Sequence, residues 1–209
     1  MQLYLVRHPQ PADVTGLCYG RREVPVGPES VADAVAEVRG RIPEKVLEGA
    51  RIFSSPASRC LILARCLAAP REPTVAEDLA EMDFGSWEGR AWDQVPRDQL
   101  DAWARDVWHY RPGGVESAAM VAGRWQRWVK RVGNGDDAVV AVTHAGVIRV
   151  ALALANANAN ANANANADAD GGAGAGGDAG MLQAAALLQV PVAFGSVHSV
   201  DVAAAPVPA

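Results

Sequence analysis

The stretch Leu3-Tyr-Leu-Val-Arg-His-Pro-Gln-Pro11 decides how the rest of the chain is interpreted. Its apolar residues predict a buried β-strand, and that strand runs directly into Arg7 and His8. In open α/β sheets, ligands bind beyond the carboxyl ends of the strands. We therefore expect Arg7 and His8 to lie at the functional edge of a sheet, where other segments supply their partners.

Two later segments show the same pattern, an apolar strand that is followed immediately by polar residues. Residues 51–54 predict a short strand, after which Ser55 is expected to cap a helix that carries Arg59 in its first turn. The apolar run 138–142 predicts a central parallel strand that is buried on both faces and is soon followed by His144. All three segments are expected to end at one edge of the sheet.

Helices are predicted between these strands. Apolar residues recur at helical spacing before Pro43, and further helices are expected at 97–108, after a cap at Ser117, and over 147–154. Short strands are predicted near Val75 and at 196–202. Strands that alternate with helices indicate an α/β fold with a mostly parallel sheet.

The composition changes abruptly from Ala155 to Gly180, where Ala alternates with Asn, then with Asp, then with Gly. Asn and Gly are poor helix formers, and these side chains offer little apolar surface to bury. We predict a disordered insertion at 155–180 within a single domain, 1–209. Ordinary sequence with a short helix is expected to resume at Met181.

The overall composition narrows the function classes. The net charge is -5 and no long basic run is present, which argues against nucleic-acid binding. The chain shows neither a signal-peptide pattern nor a run of about 20 apolar residues, so a soluble cytoplasmic protein without a membrane partner is expected. The three cysteines form no CxxC pair, so we predict neither a disulfide framework nor a zinc site; they are Cys18, Cys60 and Cys66.

The polar residues at the predicted edge form a candidate phosphate site. Two arginines and two histidines around one pocket would attract a dianionic phosphoryl group, because arginine forks bind phosphate oxygens in a bidentate manner. One imidazole can attack phosphorus, and the other, if cationic, can stabilise the transition state. A protonated carboxyl is needed for the leaving alkoxide. The set is Arg7, His8, Arg59, Glu81 and His144, with no metal or cofactor predicted.

Several assignments remain open on position alone. Asp83 and Glu88 lie close to Glu81 and compete with it as the acid. Glu116 is either an acid in the first turn of a helix or a substrate contact. Arg21 is predicted at the mouth of the pocket. Ala145 and the glycine after it are small, so their backbone N–H groups can approach an anion; the predicted substrate contacts are Arg7, Arg21, Arg59, Glu116 and Ala145.

Four segments, taken in order, resemble the motifs of the histidine phosphatase (phosphoglycerate mutase-like) superfamily. They are Leu5-Val-Arg-His8, Ser54-Ser-Pro-Ala-Ser-Arg59, Leu79-Ala-Glu-Met-Asp-Phe-Gly-Ser-Trp-Glu-Gly89 and Val142-Thr-His-Ala-Gly146. The resemblance spans residues 3–149 and implies a three-layer α/β/α sandwich. It also implies that His8 is phosphorylated, that Arg7, Arg59 and His144 form the phosphate pocket, and that Glu81 is the acid.

Within that superfamily the chain looks like the α-ribazole phosphatase branch. The resemblance rests on Arg7-His-Pro-Gln-Pro11, Cys18-Tyr-Gly-Arg21 and Arg111-Pro-Gly-Gly-Val-Glu-Ser117. It implies hydrolysis of α-ribazole 5′-phosphate or cobalamin 5′-phosphate, during assembly of the nucleotide loop of cobalamin. The expected partner is thus a small phosphorylated metabolite; the sequence makes no prediction of oligomeric state.

The chain departs from the family motif Arg-His-Gly at Pro9, which has no N–H to offer a phosphate. Pro11 stands where many members carry a hydroxyl residue. Both changes favour hydrolysis over mutase activity, which requires two phosphates to be held. Two further alternatives stay open: a broad-specificity phosphatase, and a catalytically silent module that only binds phosphate.

Overall fold

The computed structural model describes residues 1–133, 135, 137–168, 188 and 190–201. Its centre is a β-sheet whose strands are β1 (Gln2–Arg7), β2 (Arg51–Ser54), β3 (Thr74–Val75), β4 (Val139–Thr143) and β5 (Val197–Asp201). The strand order is β3-β2-β4-β1-β5. Strands β1 to β4 pair in parallel, and β5 pairs antiparallel with β1. The predicted mostly parallel sheet is confirmed.

Helices cover both faces of this sheet, which confirms the predicted α/β/α sandwich. The α-helices are α1 (Pro28–Arg41), α2 (Glu44–Gly49), α3 (Ser58–Ala68), α4 (Arg97–Arg105), α5 (Ala118–Val132) and α6 (Ala145–Asp168). On one face, Val140 and Val142 of β4 pack with residues of α1 and α3. On the other face, Val139 and Ala141 pack with residues of α5 and α6. Successive β4 side chains therefore pack into two separate hydrophobic cores, one on each face of the sheet. Every β4 residue is buried.

The register of the parallel strands brings the candidate site together. Arg7 pairs with Thr143 across β1 and β4, and Ser54 pairs with Val142 across β2 and β4. The pairing continues one residue further, because the N–H of His8 donates to the Thr143 carbonyl at 3.0 Å. His8, Ser55 and His144 consequently lie just beyond the ends of three adjacent strands.

Two helix boundaries differ from the prediction. Helix α3 begins at Ser58 after Ala57, so Ser55 is not its cap, although Arg59 still lies in the first turn. Helix α4 ends at Arg105, short of the predicted 108, and the short α2 after Pro43 was not predicted. The cap at Ser117 is confirmed, since its side chain accepts a hydrogen bond from the N–H of Met120.

Helix α6 corrects the prediction of a disordered insertion. The helix runs from Ala145 to Asp168, so residues 155–168 are helical rather than disordered. The physical reason is that every second residue there is Ala, the best helix former, and that extending an existing helix costs far less than starting one. Residues 169–180, and the short helix expected from Met181, lie outside the described residues.

Candidate active site

His8 is buried just beyond β1, and only 2 % of its surface is exposed. Its Nδ1 lies 2.7 Å from the carbonyl oxygen of Pro9. A carbonyl oxygen only accepts, so Nδ1 carries the ring proton and Nε2 carries the free lone pair. Burial, and then the charge of Arg59, lower the pKa of His8 to about 3. His8 is therefore a neutral, oriented imidazole that can act as a nucleophile through Nε2.

His144 follows β4 and is also buried, with its ring centroid 5.1 Å from that of His8. Its Nδ1 lies 3.2 Å from Nη2 of Arg59, and its Nε2 lies 2.7 Å from Oγ of Ser55. Arginine only donates, so Nδ1 accepts and Nε2–H donates to Ser55. Burial is the main cause that holds the pKa of His144 well below its ordinary value, and the positive charge of Arg59 adds to it. His144 is therefore neutral here, whereas its predicted transition-state role requires the cation.

Two arginines supply the positive charge of the site. Arg59 is fully buried, and its guanidinium donates to the carbonyl oxygens of Arg22 at 2.9 Å and Gly20 at 2.6 Å. The guanidinium of Arg7 lies 3.7 Å from the ring centroid of Phe194. Because backbone carbonyls and an aromatic face hold these groups, both guanidinium groups are fixed beside the histidines before any anion arrives.

Glu81 is held against the first turn of α6. Its Oε2 accepts from the N–H of Gly146 at 3.0 Å, and its Oε1 accepts from the N–H of Met82 at 2.9 Å. A Cβ atom built on Gly146 would lie only 2.4 Å from Oε1 of Glu81, so the glycine is what allows this close approach.

The structure separates the three competing acids. Asp83 accepts from the N–H of Gly85 at 2.8 Å and so closes a local turn. Glu88 accepts backbone N–H groups across two loops, from Gly20, Arg21, Arg22 and Phe84. The hydrogen bonds of Asp83 and Glu88 therefore stabilise loops. Glu81 alone of the three lines the cavity that contains His8 and His144.

Arg21, which is predicted at the mouth of the pocket, does not line the cavity itself. Its side chain is solvent-exposed and lies 3.9 Å from Glu77, and its backbone N–H donates to Glu88 at 2.9 Å. Because Glu88 fixes the backbone of this loop, the Arg21 side chain is directed to the surface. The sequence indicated that Arg21 lies near the pocket but did not show that its ion-pair partner lies outside it.

Glu116 is also not in the cavity. Its Oε1 accepts from Nε of Arg124 at 2.8 Å, and its Oε2 accepts from the N–H of Asp83 at 3.0 Å. Both side chains of the Glu116–Arg124 pair are almost completely buried. Of the two alternatives left open by the sequence, the structure therefore supports a structural acid rather than a substrate contact.

The site opens into a cavity of about 480 Å³ that has two different ends. The polar end holds six of the eight predicted site residues, including Ala145 at the start of α6. The other end is apolar and aromatic, and Trp92 stacks on Trp103 with an interplanar angle of 11°. The polar end is lined by Arg7, His8, Arg59, Glu81, His144 and Ala145, and the apolar end by Leu17, Phe84, Trp92, Leu100, Trp103 and Val107.

Three residues of the site were missed. Tyr19 and Arg149 line the cavity, and Ser55 binds His144 instead of capping α3. Arg149 lies one helical turn after Ala145, so helical spacing could have predicted it. Tyr19 lies next to Cys18 in a motif that pointed to the site without singling out the phenol. The contact between Ser55 and His144 had no local signal, because it depends on the pairing of β2 with β4.

Metal-binding clusters and membrane-spanning helices are both absent from the described residues. Within 1–133, 135, 137–168, 188 and 190–201, no three His, Cys, Asp or Glu side chains are grouped so that they could hold a metal ion. Within the same residues, no helix has the length and apolar character needed to cross a bilayer.

Comparison with known proteins gives a family match and structural matches. A family model described as "Histidine phosphatase superfamily (branch 1)" matches residues 3–167. No curated protein sequence matches the chain.

Several solved structures share the fold. TTHB049 from Thermus thermophilus is 29% identical, with a TM-score of 0.58 over 72% of this chain and 82% of that one. The mycobacterial glucosyl-3-phosphoglycerate phosphatase is 26% identical, with a TM-score of 0.61 over 74% and 78%. The alpha-ribazole phosphatase from Shigella flexneri is 21% identical, with a TM-score of 0.67 over 98% and 92%.

Proposed function

Because the chain belongs to the histidine phosphatase superfamily, we propose that it is a metal-independent phosphomonoesterase that acts through a phosphohistidine at His8. One observation carries this proposal. The Nδ1–H of His8 donates to the Pro9 carbonyl, so the unprotonated Nε2 is left as the nucleophile. Pro9 lacks the backbone N–H that the family glycine has. Its carbonyl oxygen still accepts the Nδ1–H of His8, which leaves Nε2 unprotonated.

The proposed reaction has two displacements at phosphorus. In the first, Nε2 of His8 attacks, the ester oxygen leaves, and the Glu81 carboxyl gives that oxygen its proton. In the second, water attacks phospho-His8, the Glu81 carboxylate takes the proton of the water, and Nε2 of His8 leaves. Arg7 and Arg59 hold the equatorial oxygens in both steps. The cycle thus returns His8 and Glu81 to their starting states.

For the substrate we propose α-ribazole 5′-phosphate or cobalamin 5′-phosphate. The support is the motif resemblance to the α-ribazole phosphatase branch, together with the shape of the cavity. Its cationic end suits a phosphate, and its end lined by Phe84, Trp92 and Trp103 suits a flat apolar base. A cytoplasmic role in the assembly of the nucleotide loop of cobalamin follows from this substrate and is part of the same proposal.

A broad-specificity phosphatase is the second candidate. It is favoured by the 26% identity to a phosphatase whose named substrate, glucosyl-3-phosphoglycerate, is chemically unlike α-ribazole phosphate. Sugars and flat bases make different contacts with the aromatic end of the cavity. The relative turnover of different esters therefore distinguishes the specific phosphatase from the broad one.

The test measures phosphate release from α-ribazole 5′-phosphate and from a generic aryl phosphate, with EDTA present. His8→Ala is expected to abolish release from both esters. His109→Ala, which removes an exposed histidine outside the cavity, is the matched control and is expected to leave release unchanged. Strong preference for α-ribazole 5′-phosphate supports the specific function, and similar rates support the broad one. No release from either ester would contradict both.

A further inference from the structure

Ser55 is a buried hydroxyl group that the reaction above does not use. It is fully buried beyond β2, and its backbone N–H donates to the Val142 carbonyl at 2.9 Å. Its Oγ lies 2.7 Å from Nε2 of His144 and accepts a longer hydrogen bond, 3.3 Å, from the N–H of Ala57. The sheet register therefore fixes the Ser55 oxygen against one nitrogen of His144.

The other nitrogen of His144 faces Arg59. Since the guanidinium has no acceptor, Nδ1 of His144 must present its lone pair to Nη2 of Arg59. A phosphoryl dianion that binds Arg59 would then meet the same lone pair, and two acceptors that face each other repel. The repulsion disappears if Nδ1 gains a proton, which it can then donate to a phosphoryl oxygen.

On the basis of the proposed function, we infer that Ser55 is a positioning residue for His144 and that binding of a phosphoryl dianion is coupled to uptake of one proton. Ser55 accepts Nε2–H, so the incoming proton is directed to Nδ1, beside Arg59. The proton comes from solvent, and His144 becomes an imidazolium with both N–H groups satisfied. The cation required in the transition state is thus formed only when the anion is present.

The surroundings of His144 support this coupling. Burial and neighbouring cations keep the ring neutral until a dianion offsets them. Glu81 is the carboxyl group nearest along the chain, because it accepts a hydrogen bond from the N–H of Gly146, two residues after His144. The titratable and charged groups next to the His144 ring are His8 after β1 and Arg59 and Cys60 on α3, and Glu81 binds the nearby Gly146. The more distant charges that act on the ring are those of Arg124 on α5 and Arg21 in the loop before α1.

The test uses sulfate, a tetrahedral dianion that does not titrate near neutral pH. Calorimetry of sulfate binding in buffers of different ionisation enthalpy counts the protons taken up. We expect about one proton per sulfate and tighter binding as the pH falls. Long-range ¹H–¹⁵N spectra should show His144 as the Nε2–H tautomer in the free protein and as the imidazolium with sulfate bound.

Three variants isolate the role of Ser55. Ser55→Ala should lower the affinity for sulfate about threefold to tenfold and remove most of the proton uptake, whereas Ser55→Thr, which keeps a hydroxyl, should restore both. Ser54→Ala is the matched control, since the neighbouring hydroxyl is equally buried but donates to the Ser55 carbonyl and not to His144. It should bind sulfate as the unchanged protein does.

The outcomes separate this inference from the proposed function. Sulfate binding without proton uptake, or His144 that stays neutral in the spectra, would overturn the inference even if phosphate esters are hydrolysed. Failure to bind sulfate would overturn it as well. Normal proton uptake in a protein that hydrolyses no ester would support the inference and contradict the proposed function. The spectra need only the unchanged protein, so a folding failure of Ser55→Ala does not affect this test.

Discussion

The carboxylate of Glu81 accepts a hydrogen bond from the backbone N–H of Gly146 at 3.0 Å, which joins the loop after β3 to the first turn of α6. This contact places one carboxyl group in the same cavity as His8 and His144. It distinguishes Glu81 from Asp83 and Glu88, whose oxygens bind loop backbone instead. The role of Glu81 as proton donor is therefore open to a direct test.

Glu81→Gln should slow ester hydrolysis by an amount that depends on the leaving group. An alkoxide is a poor leaving group and needs a proton, so we expect the rate with an alkyl phosphate to fall by about 10²–10⁴. An aryl phosphate with an acidic phenol needs little help, so its rate should fall by less than about tenfold. Steady-state kinetics with the two esters measures the difference, and an equal loss on both would contradict the acid role.

Gly146→Ala should damage the same step without damaging the fold. The new Cβ would lie 2.4 Å from Oε1 of Glu81, so the carboxylate must move, whereas Ala is favourable within a helix. We expect turnover of an alkyl phosphate to fall by at least about tenfold while the free energy of unfolding changes by less than about 1 kcal/mol. Gly123→Ala on α5, where the Cβ would meet only Arg127 at 3.7 Å, is the control and should keep full activity.

Glu116→Gln should affect stability rather than substrate binding. The change leaves the buried guanidinium of Arg124 without its charged partner, which costs about 3 kcal/mol in comparable pairs. Urea unfolding measures this loss, and KM for the ester should be unchanged. A raised KM with unchanged stability would instead restore Glu116 as a substrate contact.

The neutral state of His8 should make stability depend on pH. The pKa of His8 is about 3 in the folded protein against an ordinary value of 6.5, so the unfolded chain binds the extra proton as the pH falls below about 6.5. The contribution of His8 to the free energy of unfolding is thus present at neutral pH and lost on acidification. Relative to His8→Asn, the unchanged protein should lose about 2 kcal/mol more between about pH 7 and about pH 5. Urea unfolding at both pH values measures this, and equal losses would contradict a buried neutral His8.

The sequence predicted those features that depend on local pattern. The apolar run of β4 and the polar residues that follow β1, β2 and β4 carry their own signals, and the parallel-sheet rule then brings His8, Arg59 and His144 together. Side chains whose partners are distant in the chain were predicted less well. Arg21 and Glu116 were assigned to the site because Glu77 and Arg124 could not be identified as their partners.

The two remaining differences have opposite origins. Ser55 was predicted as a helix cap because its local context fits one, but the register of β2 against β4 gives its hydroxyl a stronger partner in His144. The segment after Ala155 was predicted as disordered from its composition. Helix α6 continues through it to Asp168, because it extends a helix that is already packed on the sheet.

The central claim is that His8 carries the phosphoryl group, and a rapid-quench trapping experiment tests it most directly. The protein is mixed with a phosphate ester that it hydrolyses, quenched in alkali and digested, and the peptide that contains His8 is analysed by mass spectrometry. We predict an acid-labile phosphohistidine on His8 that appears before steady state and is absent from His8→Ala. Release of phosphate with no phosphohistidine, or with the phosphoryl group on another residue, would contradict the claim.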